Sequence, residues 1–74
     1  MDYAERIRGI REDSDLNQTQ VAEILNVCQR TYSDYEIKKT RIPLESVIKL
    51  AKFYNVDMNY ICGISNEMRP YPKK

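Results

Sequence analysis

The sequence predicts an all-α fold, and three observations carry that prediction. Apolar residues recur at helical spacing in five separate stretches, while no stretch reads convincingly as a strand. Three of the five stretches begin with the same cap and staple chemistry. One run of nineteen residues, QTQVAEILNVCQRTYSDYE from Gln18 to Glu36, reads as two short amphipathic helices joined by a turn of three to four residues. With 74 residues there is room for one domain, a small core and no buried catalytic cleft.

The first helix is expected over residues 2–13, with Tyr3, Ile7 and Ile10 facing inward. Gly9 is its weak point, costing about 1 kcal/mol relative to alanine. Asn17 precedes the second helix and Gln20 follows three residues later, an asparagine form of the capping box, with Leu16 and Val21 placed to close a hydrophobic staple. Val21, Ala22 and Leu25 make its buried stripe, and small Ala22 lets the next helix approach closely. Asn26 marks the turn, because asparagine accepts a positive φ more readily than other non-glycine residues. Val27 points into the core and has staple spacing to Tyr32 across Cys28.

Tyr32 and Tyr35, three apart, give the third helix its inward stripe and are core residues rather than a stacking platform for bases. Gln29, Arg30, Thr31, Ser33 and Asp34 leave its outer face polar throughout. A fourth helix over residues 44–54 carries Val47, Ile48, Leu50, Ala51 and Tyr54 and is opened by Pro43, a residue suited to the first helical turn. A fifth, over residues 58–62, starts at Asp57 as N-cap with Val56 and Ile61 as staple, and stops at Gly63. The helical domain therefore spans residues 1–64, followed by a tail over 65–74 (SNEMRPYPKK) whose two prolines predict an extended or loosely ordered chain.

Twelve basic and eleven acidic side chains give a net charge of +1, so there is no global signature of nucleic-acid binding. The distribution is uneven. Residues 1–26 carry three basic and six acidic groups, whereas residues 27–42 carry Arg30, Lys38, Lys39 and Arg41 against Asp34 and Glu36. That local surplus fits a phosphate-facing loop and equally fits an ordinary solvated one. The chain opens MDYAERIR, charged at once, and holds no long apolar run, so neither an export signal nor a membrane span is expected. Cys28 and Cys62 are then reduced thiols in a cytoplasmic protein. Histidine is absent and no cysteines lie close together, which argues against a metal, a cofactor or an assembled nucleophile–base pair. The expectation is a non-enzyme with no small-molecule pocket.

Two helices crossing steeply over a short turn, the second with a polar outer face, form the DNA-reading helix-turn-helix. At this point RIRGIRE, LNQTQVAEILNV, TYSDYE, IPLESVIKLAKFYNV and DMNYICG, in this order and spacing, resemble the Cro and phage-repressor (XRE-type) helix-turn-helix family over residues 3–64. The resemblance implies a compact five-helix, lambda-repressor-like domain that binds operator DNA as a symmetric dimer and regulates transcription. By position it places Asn17 and Gln18 at a helix N-terminus that touches a backbone phosphate, a job suited to free N–H groups and the helix dipole. It puts Gln29, Arg30, Ser33 and Asp34 against base edges in the major groove. Cys28, Thr31 and the loop residues Lys38, Lys39, Thr40 and Arg41 fall where the family holds phosphates. Arg11 and Glu36 match a salt bridge that ties the first helix to the end of the third.

The chain departs from the family pattern at three positions. Cys28 replaces a serine or threonine N-cap and is a weaker acceptor, so about 1 kcal/mol of capping is missing. Lys38 stands where glycine commonly ends the helix, so either the turn differs or lysine takes a strained conformation. Asp34 sets a negative charge on a surface meant for DNA.

Arg30 is placed to grip guanine with its two-pronged guanidinium, or to pair with Asp34 four residues on along an exposed helix. Gln29 reads adenine, bonds a phosphate, or is simply solvated. Cys28 fills a cap site or senses oxidants. The resulting function is a sequence-specific, double-stranded-DNA-binding regulator, a repressor acting as a homodimer on a palindromic operator with residues 29–36 in the major groove. Met58, Tyr60, Ile61 and Ile64, apolar groups left over near the fifth helix, are the expected dimer contacts. The alternatives are an antitoxin or restriction-system controller of the same fold, or a protein-interaction module that has lost DNA binding.

Overall fold

The computed structural model describes residues 2–72, so Met1, Lys73 and Lys74, which the expected domain and tail include, lie outside the described residues. Five helices follow one another: α1 (Tyr3–Asp13), α2 (Gln18–Leu25), α3 (Gln29–Glu36), α4 (Leu44–Tyr54) and α5 (Met58–Ile61). The described residues contain no strand. The all-α expectation therefore holds, in the expected order.

Local chemistry sets the helix ends. Asp2 is extended and caps α1 by accepting from the Glu5 amide at 3.0 Å, so the helix starts one residue later than expected. At α2 the capping box is complete: Asn17 Oδ1 accepts from the Gln20 amide, and Gln20 Oε1 from the Asn17 amide, both at 2.8 Å. Asn26 ends that helix in the left-handed region with φ 59°. Cys28 makes no side-chain cap to α3. Pro43 differs from expectation: its ψ of 148° puts it outside α4 as the N-cap, not in the first turn. It has no side-chain acceptor, and its carbonyl takes the Ser46 and Val47 amides instead. Asp57 caps α5 from the Tyr60 amide at 2.7 Å, and Cys62 is the C-cap, leaving the helix one residue shorter than expected. Gly63 follows with φ 81°.

The core draws on every helix: Ile7 and Ile10, Val21, Ala22 and Leu25, Tyr32 and Tyr35, Val47, Leu50 and Ala51, and Ile61, together with Val56 and Ile42 from connections. Tyr32 and Tyr35 meet edge to face at 6.3 Å between ring centres, so their spacing serves packing. Ile48 and Tyr54 are only half-buried. Helices α2 and α3 lie directly against each other, α1 braces α3, and α4 and α5 close the other side.

Two expectations need correction here. Ile61 is fully buried in the core and has no surface to offer a second subunit. The staple position that puts Ile61 opposite Val56 also turns it inward. The tail is irregular, but over the described residues 65–72 it is laid against the α4–α5 junction rather than loose. The Asp57 amide donates to the Arg69 carbonyl at 2.8 Å, the Tyr71 amide donates to Asn55 Oδ1 at 3.3 Å, and the Tyr71 ring packs on the core. From the other side Arg6, only 5% exposed, lays its guanidinium 4.0 Å from the Tyr60 ring centre. Its terminal nitrogens donate to the Ser65 carbonyl and to Asn66 Oδ1. The described part of the tail is thus held at Ser65 and Asn66 and again at Arg69 and Tyr71.

Candidate nucleic-acid interface

A chain of side-chain hydrogen bonds starts in the protein and ends on the outer face of α3. Arg11 donates to both oxygens of Glu36, Nε to Oε2 at 2.7 Å and Nη2 to Oε1 at 3.2 Å, and its Nη1 donates to the Leu16 carbonyl at 2.9 Å. The Glu36 side chain is only 3% exposed and that of Arg11 12%, so this is a sequestered, two-pronged pair joining α1 to the last residue of α3. Glu36 also accepts from Gln18 Nε2 at 3.1 Å, and Gln18 Oε1 in turn accepts from Gln29 Nε2 at 2.7 Å.

The polarity of this relay follows from its anchor. A carboxylate can only accept, so the Gln18 amide must turn its NH2 toward Glu36, and its oxygen then faces Gln29. Gln29 spends one N–H on Gln18, and no other side-chain hydrogen bond among the described residues uses its second N–H or its side-chain oxygen. Burial by itself raises the Glu36 carboxyl, but the bonds from Arg11 and Gln18, with the neighbouring Tyr32 hydroxyl, outweigh it and hold the group below the usual carboxylate range. Glu36 is therefore ionised at neutral pH, as the relay requires.

The buried Tyr32 and Tyr54 hydroxyls complete the polar cluster: neither makes a well-formed hydrogen bond, and that of Tyr32 lies beside the Glu36 carboxylate. Burial, and then the charge of Glu36, drives the Tyr32 phenol far up, and burial pushes Tyr54 up to about 12 against the pull of Arg11. Sequence reasoning assigned both tyrosines to the core and missed that their hydroxyls crowd the ion pair. The signal was available in the three- and four-residue spacings Tyr32–Tyr35 and Tyr32–Glu36.

Around this relay the remaining site residues divide into two groups. Gln29 and Arg30 are exposed, and Ser33 and Asp34 half-exposed, one turn further along α3. Among the described residues Arg30 and Asp34 form no ion pair, leaving the guanidinium free. Asp34 instead ends its turn through its carbonyl, which accepts from the Lys39 and Thr40 amides. Asn17 has given its carbonyl oxygen to the cap, which leaves the Gln18 and Thr19 amides at the open helix end. Lys39, Thr40 and Arg41 are exposed on the loop after α3.

Three side chains sit differently from a simple phosphate-contact list. Lys38 adopts φ 62° and places Nζ 3.1 Å from Asp2 Oδ2. The Cys28 sulfur lies 3.1 Å from Thr31 Oγ1, so these two engage each other. That hydroxyl, with nearby backbone N–H groups, lowers the exposed thiol below its ordinary range. Asp2, which sequence reasoning had inside the first helix, is the residue it missed.

Among the described residues no His, Cys, Asp or Glu cluster can hold a metal ion, and no helix is long and apolar enough to cross a membrane. A surface depression of about 680 Å3 lies beneath the tail, lined by Lys52, Asp57, Met58, Asn59, Tyr71 and Pro72, and involves none of the α3 face.

Known proteins place this architecture. The helix-turn-helix family model matches residues 7–61. Over 68 residues, 92% of the chain, it is 31% identical to the uncharacterized HTH-type transcriptional regulator YobD of Bacillus subtilis (strain 168), covering 61% of that protein. Over 55 residues, 73% of the chain, it is 49% identical to the cryptic phage CTXphi transcriptional repressor RstR of Vibrio cholerae, covering 49% of it. The chain thus spans about half to three-fifths of the length of these curated relatives. A transcriptional regulator from Listeria innocua superposes with a TM-score of 0.81 at 28% identity, over 90% of this chain and 63% of that one. The P22 c2 repressor, solved with a synthetic operator, has the same fold, with a TM-score of 0.77 at 22% identity over 88% of this chain and 98% of that one. The chain belongs to the XRE-type helix-turn-helix family, the family of Cro and the phage repressors.

Proposed function

We propose that the chain is a sequence-specific, double-stranded-DNA-binding transcriptional regulator, a cytoplasmic repressor without enzymatic activity. In this reading α3 lies in the major groove and reads bases with Gln29, Arg30, Ser33 and Asp34. The open end of α2 at Asn17 and Gln18, and the loop with Lys39, Thr40 and Arg41, hold the phosphates on either side. The observation that carries the reading is the relay Arg11–Glu36–Gln18–Gln29, which spends a buried ion pair on orienting one exposed amide. A solvated glutamine needs no such support. With one N–H and its oxygen still available, Gln29 matches the N7 acceptor and N6 donor of adenine, and the unpaired Arg30 fork matches O6 and N7 of guanine. The regulatory and repressor roles of the named relatives support the same assignment.

A domain this small covers little DNA, so two copies on half-sites one helical turn apart are the mode that supplies useful affinity. With Ile61 in the core, the contacts proposed for the dimer are Met58 and Tyr60, which are partly buried, and Ile64, which is 78% exposed. Duplexes varied one base at a time, bound by wild type and by Arg30→Ala, test the base-reading claim. The variant is expected to lose about 1–3 kcal/mol at one base pair and to relax its preference there. An unchanged preference profile refutes the role of Arg30.

A further inference from the structure

Among the described residues Lys38 is the one at a positive φ whose side chain is ill suited to it. The other described positions in that region are Asp15, Asn26, Asn55 and Gly63, all types that tolerate the left-handed conformation. The side chain of Lys38 reaches back across 36 residues to Asp2 at 3.1 Å. Asp2 uses its two oxygens separately: Oδ1 caps α1 through the Glu5 amide, while Oδ2 holds the lysine. Both side chains stay open to solvent, 53% for Lys38 and 38% for Asp2, so a third group can enter. The pair thus ties the start of α1 to the first residue of the loop that also presents Lys39, Thr40 and Arg41.

We propose that Asp2 is an internal stand-in for a DNA phosphate, occupying the Lys38 ammonium until the DNA backbone displaces it and so restraining the grip of the loop after α3. The inference rests on the reading of that loop as a phosphate contact. An ammonium has no fixed fork to satisfy and exchanges one oxyanion for another without rebuilding its surroundings. The exchange is nearly balanced, because an exposed ion pair is weak to begin with. Affinity is therefore held down by competition from within the chain, with no lysine lost from the surface.

Asp2→Asn removes the charge and keeps the cap, since asparagine and aspartate cap equally well. Wild type, Asp2→Asn, Lys38→Met and the double variant are titrated with a short random-sequence duplex over a salt series, read by fluorescence anisotropy. Asp2→Asn is expected to bind roughly two- to five-fold more tightly at low salt, the range that exposed ion pairs span. In the Lys38→Met background that gain disappears, and Lys38→Met lowers the salt slope of Asp2→Asn by about one. A gain equally large without Lys38 overturns the proposal in favour of a general charge effect, and no gain at all overturns it outright. If neither wild type nor Asp2→Asn binds the duplex at any salt, the reading of the loop as a phosphate contact fails and takes this inference with it.

Discussion

Replacing Arg11 by methionine removes the anchor of the whole relay and leaves the Glu36 carboxylate sequestered with only the neutral Gln18 amide and Tyr32 hydroxyl to face it. Because the Glu36 side chain is 3% exposed, water cannot take over from the guanidinium. Breaking a buried pair by deleting one partner costs about 3–5 kcal/mol, chiefly through the stranded charge. At about 0.05–0.15 kcal/mol per residue, 74 residues carry a stability of roughly 4–11 kcal/mol, so the loss is a large share of the total. Urea titrations of wild type and Arg11→Met at neutral pH should show it directly as a lower midpoint, and thermal melts as a fall in Tm of at least about 10 °C. The pH dependence distinguishes a stranded charge from lost packing. In wild type the Glu36 carboxyl is held low, so its contribution is present above the ordinary value of 4.5 and is lost as pH falls through the folded value. In Arg11→Met burial dominates, the carboxyl rises, and stability is lost as pH rises through its new value. The gap between the two proteins should therefore narrow in acid. A gap below about 1 kcal/mol, or one that does not change with pH, refutes the reasoning.

Tyr54, raised to about 12 by burial, and Tyr32, raised further, favour their neutral forms in the fold. Their contribution is whole below the ordinary value of 10.0 and is lost as pH rises toward the folded values, so phenolate absorbance of these two should appear only together with loss of helix. Independent titration of all six tyrosines in a helical protein would contradict this. Cys28→Ser supplies the side-chain cap that α3 lacks and should raise stability by about 1 kcal/mol; equal urea midpoints for the two proteins would show that the cap site is already satisfied. Arg6→Met keeps the stem but removes the cation over Tyr60 and the bonds to Ser65 and Asn66. Amide exchange at Asp57, which donates to Arg69, should then quicken well beyond that of α2; equal quickening everywhere would mean global destabilisation instead.

What the sequence disclosed about this fold is mostly local. Asn17 with Gln20, Asn26 at its positive φ and Asp57 before α5 are signals within three or four residues, and each sets one helix end by chemistry that tertiary packing does not override. The stripes Val21–Ala22–Leu25 and Tyr32–Tyr35 are likewise periodic and core-forming. Harder to see were features that depend on distant chain segments. Arg6 looks like a surface charge on a charged helix, yet its acceptors lie 59 and 60 residues away. The tail reads as extended or loosely ordered because its prolines and charges form no pattern, and its partners are the Asp57 amide and Asn55 side chain, groups a hydropathy reading does not register. Ile42 shows the same limit, since a buried residue between helices has no period to announce it. Of the candidate site, the resemblance pointed to the outer face of α3 and the loop after it, but only the distances revealed that Gln18 and Gln29 are hydrogen-bonded to each other, that Lys38 is held by Asp2, and that Cys28 and Thr31 are mutually engaged.

The most direct test of the account is selection of bound duplexes from a random library at two salt concentrations, followed by sequencing. The account predicts enrichment, at both salts, of an inverted repeat with half-sites about one helical turn apart, carrying adenine and guanine where Gln29 and Arg30 reach the groove. Retention without enrichment that vanishes as salt rises would mean phosphate attraction alone and would contradict sequence-specific regulation.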